Sequence, residues 1–345
     1  MTGRVAVYAL TPQGAWLARA LNEALGADLY LPRKLAAPNE PSEQAFESLP
    51  ALVADTFHVY SGHVFVAACG IVVRAVAPHL RGKSRDPAVV ALDQDGRHVV
   101  SLLSGHLGGA NELARRVAAI TGGTPVITTA TDTAGLPSLD MLARDSGLAI
   151  ENLDAVKTVN GGLLAGQVVQ VFDPEGHLAI PSEHGARFEW VAAPHLLEPE
   201  RPAVAVSWRE VSVPSGTLIL RPRVVVAGVG CRKGAPSGKI VALLREAFAA
   251  KAVALKSLAL LASIDVKSGE PGLLEAAREL GVEIRFYPAE RLAGVKTPNP
   301  SPMPLKHVGV ESVCEAAALL AAGTTRLLVP KMKSKTVTAA LALAN

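Results

Sequence analysis

The chain has 345 residues, of which 49% are hydrophobic, 19% charged and 4% aromatic, and its formal net charge is +3. This length exceeds one ordinary hydrophobic core, so we expect two or three domains of a globular α/β protein. The scarcity of aromatic side chains argues against single-stranded nucleic-acid binding. Three widely spaced cysteines argue against a disulfide framework and against a cysteine-rich zinc site.

The sequence has no segment typical of export or of a membrane. The apolar run at residues 5–10 is too short for a signal peptide or a membrane span, and elsewhere no stretch of about 18 apolar residues lacks a charge. An odd number of scattered cysteines fits a reducing compartment. We therefore expect a cytoplasmic protein without a membrane partner.

Predicted strands and helices alternate over the first third of the chain. This alternation is typical of a doubly wound α/β fold, in which helices cover both faces of the sheet. The sequence therefore predicts a doubly wound first domain over residues 1–135. Its clearest elements are a strand at 3–10, a helix at 15–25, a strand at 27–31 and a hairpin at 87–103 with its turn at 93–96.

Two further domains are predicted after residue 135. Residues 136–222 are rich in turns and form a small middle domain that contains no chemical motif. Residues 223–345 begin with an apolar run and return to the strand–turn–helix pattern, which predicts a second α/β domain. The expected architecture is therefore an α/β chain of three domains.

The charges are distributed unevenly among these domains. Residues 1–135 have 11 basic and 11 acidic side chains, residues 136–222 have 6 and 11, and residues 223–345 have 17 and 9. The last domain therefore has a net charge of +8, which favours an acidic partner. A balance of charge for solubility is the alternative explanation.

The segment SGHLGGANE at residues 104–112 is the most informative motif. It follows a predicted buried strand and precedes a predicted helix. Glycines at such a turn allow a ligand to approach the backbone, and helical N–H groups can bind an anion. We therefore expect Gly105, Gly108 and Gly109 to contact a substrate.

The same segment contains two candidates for acid–base chemistry. His106 is a candidate general acid or base because its ordinary pKa lies near neutrality. Glu112 can orient this histidine or act itself, but it can also be a helix-terminal charge paired with Arg115 or Arg116. A turn histidine bound only to backbone is the structural alternative for His106.

Two other predicted strands end in polar or charged segments. Arg74 follows the strand at 63–67, and Thr128, Thr129 and Asp132 follow the strand at 125–127. Ligands of open α/β sheets bind outside the carboxyl ends of the strands. If these strands are parallel neighbours of the strand before His106, all of these side chains face one crevice.

The last domain begins with GVGCRKG at residues 228–234. Its glycine spacing differs from the dinucleotide fingerprint, and the segment at 234–240 departs from a phosphate loop. What remains is a turn with Arg232 that is suited to an anion. Lys267 and Lys331 also lie at the ends of predicted strands, so we expect Arg232, Lys267 and Lys331 to bind carboxylates.

Several segments together closely resemble the CbiG family, the cobalt-precorrin-5A hydrolases of anaerobic cobalamin biosynthesis. The resemblance spans nearly the whole chain, although the middle domain matches only in position and length. The segments that support it are CGIVVR (69–74), DPAVV (86–90), SGHLGGANEL (104–113), PVITTATD (125–132), GVGCR (228–232), IDVKSGEPG (264–272), VESVCEAA (310–317), and Lys331 before TVT (336–338).

This resemblance implies a specific reaction. The family's reaction opens a δ-lactone on a cobalt-containing contracted macrocycle and releases acetaldehyde, giving cobalt-precorrin-5B. It requires no nicotinamide, flavin, nucleotide or protein-bound metal, because the cobalt is part of the substrate. A non-catalytic corrinoid-binding or channelling protein, which hands intermediates to neighbouring pathway enzymes, is the alternative. A basic nucleic-acid binder is disfavoured by the scarce aromatics and the acidic middle domain.

Overall fold

The structure, a computed structural model, describes residues 3–37, 40, 42–82, 85–302, 305 and 309–344. Two compact units are present, Met1–Met141 and Leu142–Asn345. None of the helices in these described ranges is long and apolar enough to cross a membrane.

The first unit contains a seven-stranded sheet in the order β3-β2-β1-β4-β5-β6-β7. Its strands are β1 (Val5–Ala9), β2 (Asp28–Pro32), β3 (Glu43–Phe46), β4 (Gly62–Val66), β5 (Ala88–Leu92), β6 (His98–Leu103) and β7 (Thr124–Val126). Its helices are α1 (Pro12–Leu25), α2 (Leu49–Thr56), α3 (Cys69–Val76), α4 (Ala110–Thr121) and α5 (Ala130–Thr133), with α6 (Leu139–Asp145) beginning just before the unit ends.

Both faces of this sheet are covered because side chains alternate along each strand. In β1, Val5 and Val7 pack with α1 and α4, whereas Ala6 and Tyr8 pack with α2 and α3. The strands are therefore apolar throughout, as buried strands of an α/β sheet are. This arrangement confirms the predicted doubly wound first domain.

The sheet contains both parallel and antiparallel strands. The expected common crevice required the strands before Arg74, His106 and Thr128 to be parallel neighbours, and they are not. The predicted hairpin is present, so β6 runs antiparallel to β5, and β7 is parallel to β6. Because β4 and β5 are parallel, the carboxyl ends of β6 and β7 lie at the opposite sheet edge from that of β4. A hairpin reverses the chain without a crossover, which is the physical reason for the change of direction.

The second unit contains two five-stranded sheets. The first has the order β10-β9-β11-β12-β8, in which β8 is the antiparallel edge strand. Its elements are β8 (Leu148–Ile150), α7 (Leu153–Leu164), β9 (Val169–Phe172), β10 (Phe188–Trp190), β11 (Ala203–Val206) and β12 (Leu218–Pro222). Arg221 of β12 is 1% exposed, and its guanidinium binds Glu151 and Glu210.

The last sheet has the order β15-β14-β13-β17-β16, with β13, β14 and β15 parallel and β17 antiparallel to its two neighbours. Its strands are β13 (Val225–Cys231), β14 (Leu258–Ile264), β15 (Glu283–Tyr287), β16 (Leu327–Lys333) and β17 (Val337–Leu343). Its helices are α8 (Ser237–Ala249), α9 (Pro271–Leu280), α10 (Ala289–Ala293) and a last helix, Val313–Ala322. Three multi-stranded sheets and their helices confirm the α/β fold class with three domains, and the boundaries after residues 135 and 222 stay predictions.

Candidate functional site

The segment between β6 and α4 folds back on itself. The amides of Ala110 and Asn111 donate to the carbonyl oxygens of Ser104 and Gly105 at 3.0 Å each. These two first-turn amides of α4 are therefore not available to an anion, contrary to the expectation from the glycine-rich turn. The amides of residues 105–108, in contrast, have no acceptor within the part of the chain that the structure describes.

Two of the glycines are required because other atoms approach them closely. A Cβ on Gly105 would lie 2.7 Å from Oδ1 of Asn111, and one on Gly108 would lie 2.8 Å from the carbonyl oxygen of Ser104. Ser104 itself has a φ of +58°, a left-handed conformation that costs a non-glycine residue about 1 kcal/mol. The tight segment fixes the position of His106.

His106 lies between two carboxylates, and its side chain is 18% exposed. Its Nδ1 is 3.4 Å from Oδ2 of Asp140, and its Nε2 is 3.2 Å from Oδ2 of Asp132. The hydroxyl oxygen of Thr131 lies 3.1 Å from the same Nε2. A hydrogen bond to Asp140 is the main cause that raises the pKa of His106 above its usual value, with a smaller contribution from Asp132, whereas burial acts in the opposite direction. Each ring nitrogen, when protonated, can donate to one of these carboxylates, so the two aspartates favour the imidazolium form.

Asp132 is held by three donors. Nδ2 of Asn111 donates to Oδ2 of Asp132 at 2.9 Å, in addition to His106, and Arg115 binds the other carboxylate oxygen at 2.5 Å. The same Nδ2 donates to Oγ1 of Thr129 at 2.8 Å. Asn111 thus connects the helix α4 to the segment that follows β7. We call His106, Asn111, Asp132 and Asp140 the His106 cluster.

Glu112 does not orient His106. It is exposed in the first turn of α4, and it has no hydrogen bond or ion pair within the described residues. The expected pairing of Glu112 with Arg115 or Arg116 is also wrong, because Arg115 binds Asp132 instead. Glu112 lies on the exposed face of α4. The carboxylates that contact the His106 ring are instead those of Asp132 and Asp140, which come from later helices.

The expected common crevice is wrong for Arg74. Its guanidinium folds back over Gly70 at the start of α3, which follows the carboxyl end of β4. The His106 cluster lies at the opposite sheet edge, beyond the carboxyl end of β6. Arg74 is also exposed. Of the polar residues after β7, Thr129 and Asp132 join the cluster, and Thr128 is exposed beside Thr129.

Asn111 and Asp140 are the functional candidates that the sequence reasoning missed. Asn111 lies within the quoted motif, and an asparagine on the buried face of an amphipathic helix is a signal that was available. Asp140 lies five residues past the predicted end of the first domain, in α6, and it is 5% exposed. Nothing in its local sequence indicates which histidine it meets.

The last domain brings together the three cations that the sequence predicts. Arg232, Lys267 and Lys331 line one cavity of about 910 Å³ at the carboxyl ends of β13 and β14. Cys231 lines the same cavity, and burial raises the pKa of its thiol. Lys333 and Lys335 also line it, although they are not among the residues that the sequence predicts to bind carboxylates.

Known sequence families match all three parts of the chain. Residues 51–132 match the Cobalamin synthesis G N-terminal family, residues 137–222 the Cobalamin biosynthesis central region, and residues 225–342 the Cobalamin synthesis G C-terminus. The second and third ranges contain the two five-stranded sheets, whereas the first contains β4 to β7 of the seven-stranded sheet.

Similar proteins match over nearly the full length. The Cobalt-precorrin-5A hydrolase of Priestia megaterium is 32% identical over 99% of this chain and 95% of its own length. The protein of the same name from Salmonella typhimurium is 36% identical over 99% of this chain and 98% of its own. A crystal structure of a cobalamin biosynthesis protein G homologue from Sulfolobus solfataricus is 21% identical over 99% of this chain and 97% of that chain, with a TM-score of 0.41. The two matches at 32% and 36% identity over 99% of the chain show that it belongs to the Cobalamin synthesis G (CbiG) family.

Proposed function

We propose that this protein is a cobalt-precorrin-5A hydrolase, which opens the δ-lactone of its substrate and releases acetaldehyde to give cobalt-precorrin-5B in cobalamin biosynthesis. The observation that carries this proposal is the match over 99% of the chain to two proteins of that name. The match covers 95% and 98% of those two relatives, so the proposal applies to the whole chain.

His106 is proposed as the catalytic proton donor. Because both ring nitrogens face carboxylates, the pKa of His106 is raised and the protonated ring is favoured, which suits a proton donor. In lactone opening, water adds to the carbonyl carbon and loses a proton to solvent, the ring C–O bond breaks, and the alkoxide that leaves must gain a proton. The partly exposed ring of His106 supplies that proton, and Asp132 and Asp140 stabilise its charge.

The segment that holds His106 is proposed to stabilise the charge that develops on the lactone oxygen. The amides of residues 105–108 have no acceptor within the described part of the chain, and they lie beside His106. Backbone donors of this kind commonly stabilise the oxyanion in acyl transfer. Gly105, Gly108, Gly109, Thr128 and Thr129 are thus proposed to contact the substrate, while the predicted roles of Glu112 in catalysis and of Arg74 in binding have no support from the geometry.

The second chemical step needs the reverse proton transfer. After lactone opening, the new hydroxyl loses its proton, its carbon forms the aldehyde carbonyl, and the C–C bond to the macrocycle breaks with its electron pair staying on the macrocycle. A group that donated a proton in the first step can accept one in the second. His106 is therefore proposed to serve both steps.

The decisive experiment is a turnover assay with purified protein, cobalt-precorrin-5A and no added cofactor. Stoichiometric acetaldehyde, trapped as a hydrazone, is expected together with the mass change of the corrinoid. Corrinoid binding without acetaldehyde would instead favour the non-catalytic channelling protein. A parallel gel-shift assay at modest salt checks that nucleic acid is not a ligand.

The proposal also covers the cofactor, the cellular location and the partners of the protein. The cobalt is proposed to enter as part of the substrate, with no resident cofactor. A cytoplasmic location is supported by three free cysteines, Cys69, Cys231 and Cys314, which suit a reducing compartment. Neighbouring pathway enzymes are proposed as transient partners for transfer of the unstable macrocycle.

A further inference from the structure

All the charged side chains that line the cavity of the last domain are basic. Five basic side chains border it, and its lining includes no aspartate or glutamate. They come from separate elements: Arg232 follows β13, Lys267 follows β14, Lys331 and Lys333 lie in β16, and Lys335 lies in the turn before β17. Tertiary structure, rather than a run of sequence, creates this concentration of charge.

Most of these cations are not neutralised by the protein. The side chains of Arg232, Lys333 and Lys335 have no ion pair and no hydrogen bond within the described residues. The ammonium of Lys331 donates to the carbonyl oxygen of Asn299, and only Lys267 has a carboxylate partner, Glu270 at 3.3 Å. Converging like charges repel one another, so an anion in the cavity would relieve this repulsion.

Two buried carboxylates hold opposite walls of the cavity in place. Glu270, 7% exposed, accepts the amide of Gly234 at 2.6 Å and contacts Lys267, so it fixes the turn that contains Arg232. The Gly234 amide is the main cause that lowers the pKa of Glu270 below its usual value. This wall is therefore built around a carboxylate that stays ionised.

The other wall depends on Glu315, which is fully buried in the last helix. Its carboxylate accepts the backbone amide of Asn299 at 3.1 Å, the Nδ2 of Asn299 at 2.7 Å and the amide of Lys331 at 2.9 Å. Glu315 thus ties the loop at residues 298–302 to the strand that holds Lys331 and Lys333. The cations are positioned before any ligand arrives, which reduces the entropy that binding costs.

Between the cations the cavity has both apolar side chains and the hydroxyl groups of Ser312, Thr336 and Thr338. Ile264, Val313, Val337 and Pro300 contribute to the lining, and Val266 is 67% exposed beside Lys267. A small inorganic anion would leave these surfaces in water. The combination of apolar side chains with five cations fits a large ligand that has an apolar body and several peripheral carboxylates.

We propose that this cavity binds the corrinoid through its free carboxylate side chains, with Glu270 and Glu315 as positioning residues, and that it selects carboxylate over amidated macrocycles. The inference rests on the proposed function for the identity of the macrocycle. The last domain thereby distinguishes corrinoids by the amidation of their side chains. Intermediates with free carboxylates bind, and the amidated corrinoids formed later do not.

The test compares two corrinoids that share cobalt and macrocycle but differ in side-chain charge. Dicyanocobyrinic acid has free carboxyl groups, and dicyanocobinamide has amides in their place. Equilibrium dialysis of the full chain, followed by the visible absorption of the corrinoid, measures both dissociation constants. We expect the acid to bind roughly tenfold or more tightly than the amide, and its affinity to fall steeply with added salt.

Variants locate the binding in the cavity. Lys333→Ala and Lys335→Ala are each expected to weaken binding of the acid by roughly tenfold and to leave the amide unaffected. Lys251→Ala, an exposed lysine just after α8 and outside the cavity, is the matched control and should change neither constant. Glu315→Gln should reduce the preference for the acid, and a thermal melt equal to that of the parent chain would separate this positioning effect from unfolding.

Several outcomes overturn the inference and leave the proposed function intact. Equal affinity for the two corrinoids would do so, and so would displacement of the acid by inorganic tripolyphosphate at equal concentration. Turnover of cobalt-precorrin-5A with an unchanged KM in the Lys333 and Lys335 variants would also place the substrate elsewhere. Conversely, the protein could prefer the acid over the amide but release no acetaldehyde. This result would support carboxylate recognition by the cavity and contradict the proposed hydrolase activity.

Discussion

Nδ1 of His106 lies 3.4 Å from Oδ2 of Asp140, a carboxylate whose side chain is only 8% exposed. The pair joins the segment after β6 to the start of α6, and it is completed on the other side of the ring by Asp132. Burial alone would favour neutral imidazole, but two carboxylates outweigh it, so the pKa of His106 is raised. This relationship determines whether the histidine enters the reaction as an acid or as a base.

Removing the Asp140 charge is expected to lower the pKa of His106. In Asp140→Asn the largest cause of the raised pKa is lost, so the imidazolium should deprotonate at lower pH, and the basic limb of the pH–rate profile should move to lower pH. An NMR titration of the His106 ring measures the same shift directly. Asp145→Asn, an exposed change in the same helix α6, is the control. An unchanged titration in Asp140→Asn would show that this carboxylate does not control the ring.

The same raised pKa makes a prediction about stability. A group whose pKa is higher in the folded than in the unfolded chain stabilises the fold below its unfolded pKa, and this contribution is lost as the pH rises through the folded value. The stabilisation by His106 should therefore be present at acidic pH and disappear in alkaline solution. Free energies of unfolding of the parent chain and of His106→Gln, measured across pH, should converge as the pH rises.

Loss of the imidazole is expected to lower turnover of cobalt-precorrin-5A. His106→Ala should reduce kcat by roughly 10²–10⁴-fold, the usual effect of removing a positioned acid–base group, while the fold stays intact. Glu112→Gln should have little effect, because Glu112 is exposed and bonded to nothing in the described structure. Rates come from trapped acetaldehyde. Equal turnover of His106→Ala and the parent would return His106 to a purely structural role.

A second histidine should destabilise the protein at acidic pH. His63 is fully buried against Tyr8 and Phe57, and burial lowers its pKa from 6.5 to about 4. Below pH 6.5 the unfolded chain takes up a proton that the folded chain refuses, so stability falls by up to about 3 kcal/mol on acidification to pH 4. Denaturant unfolding at several pH values measures this loss.

The His63→Gln variant should lose much of this acid sensitivity, although it should also be less stable at neutral pH because of altered packing. His195→Gln, at an exposed histidine, is the control and should retain the pH dependence of the parent. If His63→Gln and the parent lose stability in parallel between pH 6.5 and 4, another group is responsible.

Gly108 is expected to tolerate no side chain. A Cβ there would meet the carbonyl oxygen of Ser104 at 2.8 Å and that of Asp86 at 3.2 Å, both backbone atoms that move only with the segment itself. Gly108→Ala should therefore cost about 1–3 kcal/mol in stability and displace His106, with a loss of turnover. Differential scanning calorimetry and the acetaldehyde assay together measure the two effects.

The matched control is Gly161→Ala. Gly161 lies inside α7, and its added Cβ would meet nothing within 4 Å. Alanine is the better helix former, so this change should stabilise by up to about 1 kcal/mol and leave turnover unchanged. If Gly108→Ala changes neither stability nor turnover, the segment can adjust to the added methyl group without displacing His106.

The sequence alone determined the elements and the candidate histidine. Buried strands and amphipathic helices arise from local periodicity, so the hairpin at 87–103 and the helix Ser237–Ala249 are found where the pattern predicts them. The convergence of Arg232 and Lys267 was also predictable, because β13 and β14 are parallel neighbours and end at one sheet edge. Lys331 lies within β16, which is separated from β13 by the antiparallel strand β17. The apolar run of β14 is typical of a buried strand, and Lys267 follows this strand as the pattern predicts.

Only the tertiary structure decided which partners these residues have. The direction of β6 depends on a two-strand hairpin that is inserted beside β4, and this reversal separated Arg74 from the site. Asp140 reaches His106 from a helix that lies beyond the predicted domain, and Glu112 points to solvent although it is only six residues away. Contacts between residues far apart in the chain depend on the global packing of elements, and local sequence patterns contain no record of it. For this reason the chain's motifs identified the candidate acid–base residue, while the fold determined which carboxylates raise its pKa.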